Sequence, residues 1–265
     1  MGKATAKAFV CGGIMGVITQ ILLVAWAAAL GADSTFVGPA TLVSLGVLTL
    51  ITYPSGLFAK IQDWGGWGIM LTFSGLAGAV AGCFQGVRAH TGSTAKAIVE
   101  AFKLVFGIVI IGAIAFIVLD AAVVFAHVDF GTGAAIAAAT PALSLPVAFA
   151  MSFMVGGVLA AIFQVAAMVS RATPPTLLKI GFAIGGCLVP FGALGWLEAV
   201  GGGGATAMVV DAGGALSGTF MALLTTGAVM PLAIVVGIFV LLVLIGCLTG
   251  AISKTADQEF FAQEA

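Results

Sequence analysis

Two glycine-rich apolar stretches constrain this sequence more than any other feature. Residues 65–86 and 201–222 are each 22 residues long, contain seven glycines and are apolar enough to lie in a bilayer. An offset of 136 residues aligns Gly65, Gly66, Gly68, Gly78, Gly82 and Phe84 with Gly201, Gly202, Gly204, Gly214, Gly218 and Phe220. The sequence therefore predicts a duplicated unit with a broken helical segment at the heart of each copy. In transporters, such paired segments point to a binding site near the bilayer midplane.

Composition places the chain in a bilayer. Of its 265 residues, 62% are hydrophobic and 7% are charged, whereas soluble proteins average about 45–50% apolar and about 25% charged residues. The net charge of −1 gives no basis for nucleic-acid binding. The four cysteines lie in apolar segments without metal-ligand spacing, so we expect buried thiols and no bound cofactor.

The repeat also predicts the spanning helices and the division of the chain. A Gly-Gly-x6-Gln pattern in the first span recurs 144 residues later, as Gly12, Gly13 and Gln20 and then Gly156, Gly157 and Gln164. The predicted helices are 8–30, 39–58 and 101–126 in the first copy, and 146–170, 176–196 and 227–252 in the second. We assign residues 1–128 to the first membrane repeat, 129–145 to a connection, 146–253 to the second repeat and 254–265 to a polar tail.

Lys and Arg residues test whether the broken segments cross the membrane, because cationic residues in short loops stay cytoplasmic. With four crossings in each copy, the nine cationic residues divide four to five between the two sides. With three crossings and a re-entrant segment, all nine fall on one side: Lys3, Lys7, Lys60, Arg88, Lys96, Lys103, Arg171, Lys179 and Lys254. The pattern favours an all-α polytopic fold of two inverted repeats, each with three transmembrane helices and a re-entrant segment, and with both termini cytoplasmic.

Three polar side chains in apolar segments are candidate site residues. Gln20 and Gln164 occupy matching places in the first span of each copy, where they either hydrogen-bond between helices or line a site. Asp211 lies within the second broken segment, and intramembrane carboxylates are rare and usually functional. Its alternatives are a helix cap or a place at the outer membrane surface. Glu198 comes just before that segment, and we interpret it as a solvated interfacial residue on the outer side.

The glycines also allow two interpretations. Small residues at helical spacing let helices pack closely. Glycine runs at a helix start can instead present backbone N–H groups to an anion. On the second interpretation, Gly66, Gly68, Gly202 and Gly204 form a site for a carboxylate-bearing ligand, and we favour it because packing alone does not require a break.

No enzyme motif is present: the sequence has no HExxH, no GxGD and no plausible Ser/His pair. Both histidines, His90 and His127, are predicted to lie in connections. We therefore expect no enzymatic activity.

The two copies of the repeat carry a family resemblance. Each copy resembles the small membrane subunits of the stage V sporulation protein A group, the AC and AE type, through its Gly-Gly-x6-Gln first span and its glycine-rich segment. The residues concerned in that segment are Gly66 and Gly68 in one half and Gly202, Gly204 and Ala205 in the other. The chain is thus similar to two such subunits fused in tandem. The resemblance implies movement of dipicolinic acid, with calcium, across the inner membrane of the developing and germinating spore.

These observations together predict a membrane transporter or channel for a small anionic carboxylate solute. We expect it in a bacterial cytoplasmic membrane, with Ca²⁺ or a proton as a possible co-transported ion. Further membrane or soluble subunits and a homo-oligomer are compatible partners. The alternative is a structural subunit that docks other proteins and conducts nothing.

Overall fold

The computed structural model describes residues 1–127, 143–170 and 172–253. The first half forms six helices: α1 (Gly2–Leu30), α2 (Val37–Thr52), α3 (Leu57–Gly65), α4 (Trp67–Met70), α5 (Phe73–Thr91) and α6 (Thr94–Phe125). The second half repeats the order: α7 (Leu145–Val169), α8 (Pro174–Leu188), α9 (Ala193–Gly201), α10 (Gly203–Thr206), α11 (Val209–Thr226) and α12 (Val229–Ile252).

Several helices are suited to a bilayer. Within the described ranges, five helices are long and apolar enough to cross a membrane, namely α1, α6, α7, α11 and α12, and the number rises to seven if each of two bent pairs counts as one span. The bent pairs are α2 with α3, at 110°, and α8 with α9, at 105°. The chain is therefore a multi-pass, helical membrane protein, as its composition predicted.

Glycines set the bends and breaks at equivalent places in the two halves. Gly56 (φ 72°) precedes α3 and Gly192 (φ 65°) precedes α9. Gly66 (φ 49°) separates α3 from α4, and Gly202 (φ 44°) separates α9 from α10. Both pairs keep the offset of 136. Because residues other than glycine rarely adopt these positive φ angles, the backbone path itself requires glycine here.

Equivalent first helices α1 and α7 pack against each other in antiparallel directions. A Cβ atom at Gly12 would meet Gly156, and one at Gly16 would meet Ser152, so residue numbers rise along α1 as they fall along α7. The rings of Phe9 and Phe153 lie edge to face across this interface, with centroids 5.7 Å apart. The Gly-Gly pairs therefore serve close approach of the two helix backbones.

The last helix of each half packs against helices of the other half. Helix α6 packs against α8 and α11, and α12 packs against α2 and α5. Four phenylalanines form a continuous row through this exchange, with successive ring centroids 5.9–6.1 Å apart: Phe73, Phe239, Phe182 and Phe116. The row joins α5, α12, α8 and α6, so the aromatic core belongs to both halves.

Hydrogen bonds fix where α5 begins and ends relative to α2. Ser74, at the start of α5, donates to the carbonyl of Leu45 in the middle of α2 at 2.9 Å. Near the end of α5, Gln85 accepts from Tyr53 at 3.2 Å and donates to the carbonyl of Gly250 at 3.2 Å. The chain thus leaves the end of α2, reaches the level of the middle of α2, and returns to the level of its end.

Several predicted boundaries need correction. Helix α1 begins at Gly2 rather than residue 8, because the polar N-terminal residues continue the helix. Helices α2 and α8 end at Thr52 and Leu188, earlier than predicted, because the chain bends before Pro54 and Gly56 and their counterparts. His90 lies in the last turn of α5 rather than in a connection. The start of α7 at Leu145 agrees with the prediction to within one residue. Most of the predicted connection, the tail at 254–265 and Arg171 lie outside the described residues.

Candidate functional site

The two broken segments meet directly at the centre of the fold. Thr72 and Met208, equivalent at the offset of 136, form an antiparallel bridge. Phe73 donates its N–H to the carbonyl of Ala207 at 3.1 Å, and Val209 donates to the carbonyl of Leu71 at 2.8 Å. Because each break supplies the partner of the other, these non-helical backbone groups are satisfied inside the protein, as a bilayer requires.

Glutamines of the first helices cap the short helices crosswise. Gln20 of the first half accepts the N–H of Gly203 at 2.8 Å, at the start of α10 in the second half. Gln164 of the second half accepts the N–H of Trp67 at 3.1 Å, at the start of α4 in the first half. The acceptor is Oε1 in each case, so both glutamines hydrogen-bond between helices, at the break; that they line a site stays a prediction.

The cap on α10 has an additional member. Ser152 is fully buried on α7 and donates its hydroxyl to Oε1 of Gln20 at 3.0 Å. At the offset of 144, Ser152 corresponds to Ala8, which cannot donate a side-chain hydrogen bond. The amide oxygen of Gln20 therefore accepts two hydrogen bonds, whereas the structure gives one for Gln164.

The four candidate glycines lie where a side chain has no room. A Cβ at Gly66 would contact the amide of Gln164, and one at Gly202 would contact that of Gln20. A Cβ at Gly68 would contact backbone atoms of α1, and one at Gly204 would contact backbone atoms of α7. These contacts account for Gly68 and Gly204 by close packing, the alternative that the sequence left open.

Asp211 lies apart from the two glutamines, in the first turn of α11. It is 9% exposed, and it lies near Glu198, a residue exposed on α9. Both carboxyls line an open cavity of about 600 Å³ that also includes Thr206 and Gly214. Two neighbouring carboxylates repel each other, so a proton or a cation beside the buried Asp211 lowers the cost of placing the two acids together.

The second half alone carries this acid pair. At the offset of 136, Glu198 corresponds to Gln62 and Asp211 corresponds to Gly75. In the first half, the ring of Phe58 packs at Gly78, the place where Leu194 packs at Gly214 in the second. The sequence predicted a solvated position for Glu198, which is exposed, but not its place beside Asp211 in one cavity. The signal available in the sequence was that both acids replace uncharged residues of the other half.

A second cavity, of about 950 Å³, lies between α5 and α6 near the turn that joins them. Its lining includes His90, Lys96, Glu100 and Lys103. Lys103 pairs with Glu100 at 2.6 Å, and both are at least one-third exposed, so the pair contributes little to stability. The cavity gives this end of the bundle a basic character.

Comparison with known proteins gives no match: no family model, no curated protein and no solved structure is significantly similar to this chain.

Proposed function

We propose that this chain is a transporter that moves a small carboxylate across a bacterial cytoplasmic membrane, along a path where the two halves meet. The observation that carries the proposal is the crosswise capping of the two breaks by Gln20 and Gln164. Following the family resemblance, the first solute to test is dipicolinic acid.

The proposed topology is an inverted repeat with six crossings, α1, α2, α6, α7, α8 and α12, and two re-entrant segments. Three contacts support it: the antiparallel packing of α1 on α7, the antiparallel bridge between the breaks, and the return of α5 to the end of α2. In this arrangement the described cationic residues share the cytoplasmic side: Lys3, Lys7, Lys60, Arg88, Lys96, Lys103 and Lys179.

The glutamine caps suggest how a carboxylate would bind. Oε1 of Gln20 and Oε1 of Gln164 each accept a backbone N–H at a helix start. A carboxylate oxygen in the same place would accept the same hydrogen bond. A solute carboxylate would displace the amide oxygen and gain a charge-assisted hydrogen bond in its place. Such an exchange gives selectivity for carboxylates without a buried cation that would hold them too tightly to release.

The acid pair supports a role for protons in transport. An anion approaching Asp211 and Glu198 is repelled if both are ionised, and the repulsion falls when the pair gains a proton. We propose that a proton accompanies the solute, with Ca²⁺ as the alternative co-transported ion. A calcium ion takes six to eight oxygen ligands, more than two carboxyls supply.

Flux measurements in proteoliposomes test the proposal. Vesicles loaded with dipicolinate should release it faster with the wild-type chain than without protein. Gln20→Leu combined with Gln164→Leu should abolish the difference. Gln85→Leu is the matched control, because Gln85 is also a half-buried, hydrogen-bonded amide but lies away from the breaks. If the folded wild-type chain releases no dicarboxylate or monocarboxylate faster than empty vesicles, the scaffold function replaces transport.

A further inference from the structure

A second buried carboxyl lies outside the site described above. Asp120 is on α6, five residues before its end, and is fully buried. Its Oδ1 accepts the hydroxyl hydrogen of Ser217 on α11 at 3.0 Å. Its Oδ2 is buried and has no hydrogen-bond partner among the described residues. The side chain thus joins a helix of the first half to a helix of the second half while one oxygen stays unsatisfied.

An ionised carboxylate is a poor occupant of this position. Removing a carboxylate from water is very costly unless each oxygen is paired or hydrogen-bonded. In the described part of the chain, Asp120 belongs to no ion pair. A neutral carboxyl removes most of this cost, since Oδ2 then bears a hydrogen and not a share of a negative charge.

Titratable groups on the surrounding helices do not replace that proton. On α8, Cys187 is near Asp120 and carries no positive charge, while the backbone of Lys179 lies beside Gly112, eight residues earlier on α6. On α11, Asp211 is six residues before Ser217. On α5, Cys83 and His90 line the cavity at the start of α6, and Arg88 lies at the same end. On α6 itself, Lys96, Glu100 and Lys103 line that cavity. The titratable group on α12 is Cys247.

We propose that Asp120 is a proton-binding site: Oδ2 holds a proton while α6 and α11 are packed together, and the proton passes to water when the two helices separate. Separation of α6 from α11 is then linked to pH. The packed form, with the carboxyl neutral, is favoured at low pH, and separation becomes easier as pH rises. Release of one proton corresponds to about a tenfold change in the equilibrium per pH unit, between the pH at which an exposed aspartate ionises and the pH at which the buried carboxyl of Asp120 ionises.

Infrared spectroscopy of the whole chain in vesicles tests this site without any solute movement, so failure of the transport assay leaves it standing. Asp211→Asn serves as the background, because Asp211 is a second buried carboxyl whose band would overlap that of Asp120. At mildly acidic pH, above the pKa of an exposed aspartate, we expect a carbonyl band of a protonated carboxylic acid in that background. Adding Asp120→Asn should remove the band, and adding Asp63→Asn, at an exposed aspartate, should leave it.

Two results would overturn the site: absence of the band in the Asp211→Asn background, or its persistence after Asp120→Asn. If Asp120→Asn does not fold, Ser217→Ala takes its place. Loss of the hydroxyl hydrogen bond should raise the frequency of the carbonyl band of a protonated Asp120, and an unmoved band would equally contradict the proposal.

Discussion

At the scale of single residues, the breaks depend on donors that find acceptors in the opposite half. Gln20 and Gln164 each satisfy one N–H that a helix start leaves unpaired. A typical hydrogen bond contributes about 1 kcal/mol net, but a buried donor left without a partner costs about 1–3 kcal/mol. The caps therefore affect stability mainly because their loss would leave a backbone N–H unpaired in an apolar interior.

Gly204 gives a stability prediction. Gly204→Ala should destabilise the fold by about 1–3 kcal/mol or more, because the added Cβ meets backbone atoms of Ser152 and Gly156 that cannot rotate away. Gly218→Ala on α11 is the control: its Cβ meets nothing within 4 Å, so the change should be neutral or stabilise the helix by up to about 1 kcal/mol. Thermal unfolding in detergent measures both. Equal unfolding temperatures would show that close approach at Gly204 is unimportant.

Asp211 gives a prediction for the ion dependence of transport. Asp211→Asn keeps the shape of the side chain but removes the buried carboxyl that lines the cavity beside Glu198. We expect the variant to fold and its dipicolinate flux to lose most of the dependence on external pH seen in the wild type. Asp63→Asn is the control for a change of one charge. A pH dependence identical to the wild type, with an altered dependence on Ca²⁺, would assign the pair to the metal ion instead.

At the scale of helices, the exchange of α6 and α12 ties the halves together. Phe182 lies at the junction of the aromatic row, with its ring centroid 6.1 Å from that of Phe116 and 5.9 Å from that of Phe239. In a bilayer, lipid is as apolar as the core, so these rings stabilise the fold mainly through packing contacts.

Phe182→Ala should therefore weaken the contact of α8 with both exchanged helices. We expect a loss of about 2–3 kcal/mol, at or below the low end of values for buried phenylalanine in soluble proteins, because the transfer from water contributes less here. Phe125→Ala, at a ring 72% exposed at the end of α6, is the control and should change little. Denaturant unfolding of each variant in mixed micelles gives the free energy of unfolding to be compared. If Phe182→Ala lowers the free energy of unfolding no more than Phe125→Ala does, the aromatic row does not stabilise the fold.

The sequence predicted the elements far better than their contacts. The offset of 136 located both breaks, since Gly66 and Gly202 keep their place in each copy and also share a left-handed backbone. The partners were not predictable, because Gln20 and Gly203 are 183 residues apart, and the bond between Asp120 and Ser217 spans 97 residues. Hydrophobic periodicity reports which face of a helix is buried, not which helix covers it.

At the scale of the whole molecule, the contacts at one end of the bundle define the topology to be tested. Gln85 near the end of α5 bonds to Tyr53 just after α2 and to the carbonyl of Ser253 just after α12. The ends of three helices therefore share one side. Lys60 follows α2 closely and Lys96 follows α5 closely, so the two lysines belong to that side as well.

Lys60 and Lys96 distinguish the two topologies because an inverted repeat places them on the same side, whereas eight crossings place them on opposite sides. Both side chains are exposed. In a cysteine-free background, Lys60→Cys and Lys96→Cys should react with a membrane-impermeant maleimide only after the cells are permeabilised. Asp33→Cys, at an exposed position between α1 and α2, should react in intact cells and so shows that the reagent works. Reaction of Lys96→Cys in intact cells while Lys60→Cys stays protected would exclude the re-entrant segment, because α5 would then cross the membrane.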